Sequence, residues 1–238
     1  MSTPDQKVAI ITGASQGIGA GVVDGYRKLG YAVVATSRSI TPSDDPYVLT
    51  VQGDIADPAT AERVVSAAIE RFGRIDALVN NAGIFVSKPF HEYTQADYDD
   101  VTGVNMSGFF RISQLAIEQM LRQGGGGHVV QITTSLVDHA SSELPSVLAS
   151  LTKGGLQSAT KALAIEYADR DIRSNAVALG VIRTPMHPVE YHETLGAMHP
   201  VGRMGEIQDA VEAVLYLENA PFVTGEILHV DGGQSAGH

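Results

Sequence analysis

No cysteine occurs among the 238 residues, which excludes disulfides, zinc–thiolate sites, iron–sulfur clusters and thiol nucleophiles together. Any chemistry must use other groups. Tryptophan is absent too. Basic residues are few: 16 Lys and Arg stand against 27 Asp and Glu, a formal charge of −11. An acidic balance spread without long runs argues against nucleic acid and against an anionic membrane surface, so neither partner is expected. No segment reaches the ~20 apolar residues of a membrane span. The opening MSTPDQKVAIITG has no apolar run of signal-peptide length before Gly13. A soluble cytoplasmic protein is the expectation.

What the chain contains is a globular composition, 44% hydrophobic and 18% charged, at a length that suits one large α/β domain or two small ones. The 25 glycines follow no fixed period, so this is not a repeat protein. They sit at apparent strand-to-helix junctions. Val8–Thr12, Ala32–Thr36, Val48–Val51, Ala77–Asn80, His128–Ile132, Arg173–Ala178 and Ile227–Val230 read as strands, mostly apolar throughout, as burial on both faces requires. Between them Ile18–Leu29, Pro58–Phe72, Asp97–Arg122, Leu144–Ala168 and Ile207–Glu218 have helical periodicity, and Asp57-Pro58 has the form of an N-cap followed by a first-turn proline. Alternation of strand and helix predicts right-handed crossovers and a doubly wound parallel sheet of about seven strands. No linker or composition break divides it. Gly124–Gly127 reads as a helix stop and turn. The nine residues SITPSDDPY between Arg38 and Val48 hold two prolines and no helical period, so the second crossover is expected to lack a helix.

Thr12-Gly13-Ala14-Ser15-Gln16-Gly17-Ile18-Gly19 joins the first strand to the first helix. Free amides at the positive end of a helix dipole suit a pyrophosphate, and glycines allow its close approach. The spacing Gly13-x3-Gly17-x-Gly19 resembles the short-chain dehydrogenase/reductase family, and further matches follow in order: Asp54-Ile55, Asn80-Asn81-Ala82-Gly83, Asn105, Ser135, Lys153 and the tail Val223–Gly233. The resemblance covers nearly the whole chain. It implies a Rossmann-type α/β fold, one dinucleotide-binding domain over 1–238 with 186–200 as substrate lid, and a homotetramer or homodimer built on the two long helices.

By the same resemblance, Gly13, Ser15, Gln16, Gly17, Ile18 and Gly19 would bind the pyrophosphate side of a nicotinamide cofactor. Asp54 and Ile55 would border its adenine, and Asn81, Ala82 and Gly83 its adenosine ribose. Gly180, Ile182 and Thr184 would lie at the nicotinamide, with Leu179 standing where the family usually has proline. At the end of the second strand, where an NAD-type site places an acid, the sequence reads Ala35-Thr36-Ser37-Arg38-Ser39. Arg38 offers a planar donor fork for a 2′-phosphate, with the hydroxyls of Ser37, Ser39 and Ser15 nearby, so NADP(H) is preferred over NAD(H). Asp44 and Asp45 would oppose this if the short crossover folds back. No metal site is expected.

Family chemistry, as the resemblance implies, uses Ser, Tyr and Lys, with Asn supporting a water chain. A lysine one turn after the tyrosine lowers the phenol pKa from about 10 toward neutrality. Here Lys153 and Asn105 match, and Ser135 is the best match to the serine although it lies one residue farther from position 149 than usual, with the neighbouring hydroxyl of Thr134 a competitor. Four residues before Lys153 stands Ala149, and the chain has no tyrosine between Tyr98 and Tyr167. His139, His187, Tyr191, His192 and His199 are candidate replacement proton donors. The leading expectation is therefore an NADP(H)-dependent oxidoreductase acting on a carbonyl, quinone or alcohol, a small molecule, with an atypical proton donor. The alternative is an NADP(H)-binding sensor or regulatory subunit with little turnover. A hydrolase using Ser135 lacks a Gly-x-Ser-x-Gly elbow.

Overall fold

The computed structural model describes residues 6–237; residues 1–5 and 238 of the expected domain lie outside the described residues. Seven strands, β1 (Val8–Thr12), β2 (Ala32–Ser37), β3 (Val48–Gln52), β4 (Ala77–Asn80), β5 (Gly127–Thr134), β6 (Ile172–Leu179) and β7 (Ile227–Val230), form one sheet. Their order is β3-β2-β1-β4-β5-β6-β7, every pairing parallel. The helices are α1 (Gly17–Lys28), α2 (Pro58–Phe72), α3 (Gln95–Thr102), α4 (Phe109–Gln123), α5 (Val147–Glu166), α6 (His192–Ala197) and α7 (Ile207–Asn219).

The central strands β1, β2, β4, β5 and β6 are buried on both faces, as parallel strands between helix layers must be, while the edge strands β3 and β7 are only partly covered. Alternate residues of β1 divide between two cores. Ala9 and Ile11 pack with Val22 and Tyr26 of α1 and with Val211, Val214 and Leu217 of α7. Val8 and Ile10 face Ala61, Val64 and Ala68 of α2 and Ile112 and Ala116 of α4. Asp57 caps α2 as its position before Pro58 predicts, its side chain accepting from the amide of Ala59 at 3.0 Å, and Gly73 closes the helix in the left-handed conformation. Residues 38–47 contain no helix.

Two expected helices differ. The single helix over Asp97–Arg122 is split into α3 and α4 by a π-helical turn at Gly103–Gly108, and the helix expected from Leu144 starts at Val147, after Pro145. A π-turn inserts one residue per turn and re-aims the side chains it carries. The one it carries inward is Asn105, buried among Ile84 and Thr152.

Candidate active site

Chain order reverses between β1 and β4: β2 and β3 lie to one side, β4 to β7 to the other. In an open α/β sheet such a switch point, at the carboxyl ends of the strands, opens a crevice between diverging loops. A cavity of about 670 Å³ occupies it. Its wall includes Gly13, Ser15, Gln16, Gly17, Ile18 and Gly19 after β1, Ser37 and Arg38 after β2, Asp54 and Ile55 after β3, and Asn81, Ala82 and Gly83 after β4. Ser135, Ala149, Lys153, Gly180, Ile182 and Thr184 complete it on the other side. The folded chain thus gathers residues spread over 170 positions of sequence onto one surface.

The glycine loop fits a pyrophosphate on geometry. Gln16, the residue before α1, makes no side-chain cap, so the first amides of the helix face the cavity unclaimed by a side chain. Gly13 has φ +66°, and a Cβ there would stand 2.8 Å from Nδ2 of Asn81. Asn81 in turn donates to the carbonyls of Thr12 and Gly13 at 2.9 and 3.1 Å, clamping the loop onto the end of β4. At the β2 end the guanidinium of Arg38 is exposed and has no ion-pair partner among the described residues, while Asp45 is taken by Arg27 at 2.8 Å. The hydroxyl of Thr36, on the cavity wall, is buried with no hydrogen-bond partner among the described residues. This is a donor set with unspent hydrogen bonds, of a kind that fits a dinucleotide.

Lys153 reaches under the loop after β4. Its ammonium donates to the carbonyl of Ile132 at 2.8 Å, and burial draws its pKa down to about 8. A Cβ at position 83 would lie 3.0 Å from that nitrogen, so Gly83 leaves the lysine its space. Asn105 does not line the cavity. Its Oδ1 accepts from the amide of Ile84 at 2.9 Å, and its Nδ2 donates to the Ile84 carbonyl and to Thr152. It fixes the loop over Lys153 from behind.

Ser135 is fully buried, and its hydroxyl donates to Oε1 of Gln234 at 2.7 Å, with the carbonyl of Leu179 at 3.3 Å. Thr134, half-buried beside it, accepts from the amide of Leu136 at 3.2 Å. No acceptor for its own proton is found among the described residues, so Thr134 is the hydroxyl free to donate. Ala149 lines the cavity one turn before Lys153. Of the five histidine and tyrosine candidates, only His187 also lines it. His199 has both ring nitrogens engaged, Nε2 accepting from the amide of Val181 and Nδ1 donating to the carbonyl of Leu195. His192 bonds to the carbonyl of His187. Residues 186–200 fold as a 3-10 turn, Val189–Tyr191, and α6, placing Met186, His187, Leu195 and Met198 on the cavity. Sequence reasoning missed Gln234 as partner of Ser135 and the apolar wall that Phe85 and Leu144 supply; neither carries a local signal.

Among the described residues no His, Asp and Glu cluster suits a metal ion, and no helix is long and apolar enough to cross a membrane.

A family model described as enoyl-(acyl carrier protein) reductase matches residues 13–235. The chain is 34% identical over 245 residues to the 3-oxoacyl-(acyl-carrier-protein) reductase FabG of Thermotoga maritima, covering 95% of this chain and 97% of that one. It is 32% identical over 237 residues to L-xylulose reductase of Bos taurus, covering 94% and 95%. Among solved structures, ElxO with NADP bound superposes with a TM-score of 0.89 at 29% identity, over 98% of this chain and all (100%) of that one. A blue fluorescent protein from a metagenomic library, in complex with NADPH, superposes with a TM-score of 0.87 at 32% identity, over 96% and 98%.

Proposed function

Because the chain belongs to the short-chain dehydrogenase/reductase family, an oxidoreductase family, we propose that it transfers hydride between NADP(H), preferred over NAD(H), and a carbonyl, quinone or alcohol, with an altered route for the proton. The observation that carries this is the one cavity, which joins the glycine loop and the unpaired Arg38 at one end to Lys153, Thr134 and Ala149 at the other. The NADP and NADPH complexes among its structural neighbours support the same cofactor.

When bound, the nicotinamide supplies or accepts the hydride. The amides of Gly17, Ile18 and Gly19 would hold the pyrophosphate, and the Arg38 fork would take the 2′-phosphate in charge-assisted bonds. Lys153 would bind the nicotinamide ribose, its ammonium oriented by the Ile132 carbonyl. Thr134 is placed to donate to the substrate oxygen and polarise it. Calorimetric titration tests the cofactor assignment. NADPH should bind tighter than NADH, and Arg38→Ala should cost NADPH about 10- to 100-fold, as a lost bond to a charged group does, leaving NADH nearly unaffected. Equal affinities in the native protein would overturn it.

Ala149 favours a second reading, a cofactor-binding sensor or regulatory subunit with little turnover. Saturable NADPH binding with no oxidation by any carbonyl would select it.

A homo-oligomer, a tetramer or dimer, is also part of the proposal. Phe110 and Leu121 of α4 and Val147, Leu151 and Ile165 of α5 are large apolar side chains left exposed, more than a lone surface normally carries together. Sedimentation should give a multiple of 25.1 kDa; a monomer at micromolar concentration would refute it.

A further inference from the structure

The two ends of the cavity differ in chemistry. Arg38 and Asp54 stand on the loops after β2 and β3. On the far side of the switch point Phe85, Leu136, Leu144, Met186, Leu195 and Met198 form an apolar wall around the hydroxyls of Thr134 and Ser135. The only titratable side chains lining that half are Lys153 and His187, and no arginine, aspartate or glutamate does. A carboxylate or phosphate on the substrate would find no bidentate partner there, and an amine no counter-charge; either would lose its hydration uncompensated. The chain's formal charge of −11 adds to the disfavour for anions.

Proton supply narrows the class further. Ala149 ends at Cβ, so no phenol stands over Lys153. Ser135 gives its proton to Gln234 at 2.7 Å, and Ser150 gives its own to the Leu136 carbonyl at 3.2 Å. The Thr134 hydroxyl is free to hydrogen-bond a carbonyl oxygen, but an aliphatic hydroxyl is far too weak an acid to surrender its proton. His187 has Nδ1 3.4 Å from the Thr184 hydroxyl, and burial lowers its pKa, so the ring is neutral near pH 7 and a poor acid. The Lys153 ammonium donates to the Ile132 carbonyl at 2.8 Å and, on the proposed reading, serves the nicotinamide ribose, so the substrate must tolerate leaving the hydride step as an anion.

We infer that the substrate is an uncharged, apolar-faced carbonyl compound whose reduced form is a stabilised anion, the quinones being the class that meets both conditions. This rests on the proposed oxidoreductase function and deepens it. Hydride brings two electrons and one hydrogen to the quinone. The C–H bond of the reduced nicotinamide would break, its hydrogen and electron pair joining one quinone oxygen, while the ring π electrons shift and the π pair of the opposite carbonyl moves onto its own oxygen, so that the hydroquinone monoanion results. Solvent then supplies one proton to complete the hydroquinone, so NADPH, quinone and one proton give NADP and hydroquinone. A phenol-like anion has a conjugate-acid pKa of about 10, whereas the alkoxide from a simple ketone is at least as basic as hydroxide, whose parent water has a pKa of about 15.7. That difference of five to six powers of ten is what an absent general acid leaves exposed. The Thr134 donor eases both reactions but suffices only for the first.

The test uses three bicyclic probes of one size with the intact protein and NADPH, without oxygen: para-naphthoquinone, its ring sulfonate and alpha-tetralone. Para-naphthoquinone should exceed alpha-tetralone in kcat/KM by about 10² or more, the lower end of a general-acid contribution, and should exceed the sulfonate by about tenfold. Calorimetric titration of the NADP complex should show binding of the neutral quinone and weaker binding of the sulfonate. Met186→Arg, at a side chain 60% exposed on the rim, should raise the sulfonate-to-quinone ratio. Tetralone turned over as well as the quinone, or the sulfonate preferred by the native protein, overturns the inference while leaving the oxidoreductase reading in place. NADPH binding without oxidation by any of the three overturns both.

Discussion

Ser135 and Gln234 are joined by a hydrogen bond of 2.7 Å between residues 99 positions apart, tying the end of β5 to the turn after β7. The tie commits the serine hydroxyl and leaves Thr134 as the neighbouring donor. Thr134→Val should therefore lower kcat by about 10²–10³, the scale of one lost oxyanion donor, with cofactor affinity kept. Ser135→Ala should act mainly on stability, at about 1–3 kcal/mol for the acceptor left unpaired on Gln234. Steady-state kinetics and thermal unfolding of the two variants decide it. A larger kcat loss in Ser135→Ala would return the polarising role to that serine.

Ala149→Tyr places a phenol one helical turn from the Lys153 ammonium. For a ketone that needs protonation, kcat should rise by at most ~10²–10⁴, with a pH dependence following the new phenol. For a bicyclic quinone it should fall, because Ala149 is buried on the cavity wall and the ring fills that space. A gain for both substrates would show the space to be outside the substrate pocket.

Burial sets Lys153 to titrate near 8 instead of 10.5 in the free protein, which side-chain NMR of the ammonium can follow. Between those values the unfolded chain holds a proton that the folded one has released, so stability rises with pH across the window. The stability advantage of Lys153→Met over the native protein should shrink between pH 8 and 10.5. A midpoint above about 10 would contradict the buried placement.

At the opposite end of the sheet, Glu218 accepts from Tyr26 at 2.9 Å, Tyr31 at 2.7 Å and His128 at 2.8 Å. Burial pushes its pKa up, but the bonds from His128, Tyr31 and Tyr26 outweigh it and bring the carboxyl from 4.5 to about 2. Burial also keeps His128 neutral, with Nδ1 donating to the carboxylate and Nε2 accepting from Asn175. A lowered acid pKa stabilises the fold above pH 4.5 and ceases to do so as pH falls toward 2. Glu218→Gln should lose about 1–3 kcal/mol near neutrality, and its unfolding temperature should depend less on pH over that acid window than the native one. Unchanged acid sensitivity would refute the assignment.

The strands were legible because burial on both faces leaves runs such as VAIIT, where no polar residue but the last interrupts. The helix-free stretch before β3 was legible because its prolines leave no period. The residues that line the cavity on the β1 to β4 side could be named one by one since glycine spacing and loop position are local properties. What escaped were features set by distant contacts. The π-turn at Gly103–Gly108 answers to Asn105 reaching Ile84 and Thr152 and to Gly108 lying against Ile55, which no helical period encodes. The choice between Thr134 and Ser135 turns on Gln234, far along the chain. His199 carried the same sequence signal as His187, yet its two hydrogen bonds make it a brace between the loop after β6 and α6.

The missing crossover helix has a dynamic consequence. Every residue of β3 retains some solvent access, whereas β1 is closed throughout, and the connector before β3 adds only the partly buried Ile40 to the adjoining core in place of a helix face. Sub-global opening begins where few apolar contacts guard the backbone hydrogen bonds. The sheet should therefore fray from its β3 edge inward, toward β2, the strand that carries Arg38 at its end. A ligand gripping Arg38 and Asp54 would bridge those two strands from outside and act as the clasp the fold omits, so amide protons of β3 would exchange slowly only while that end of the crevice is filled.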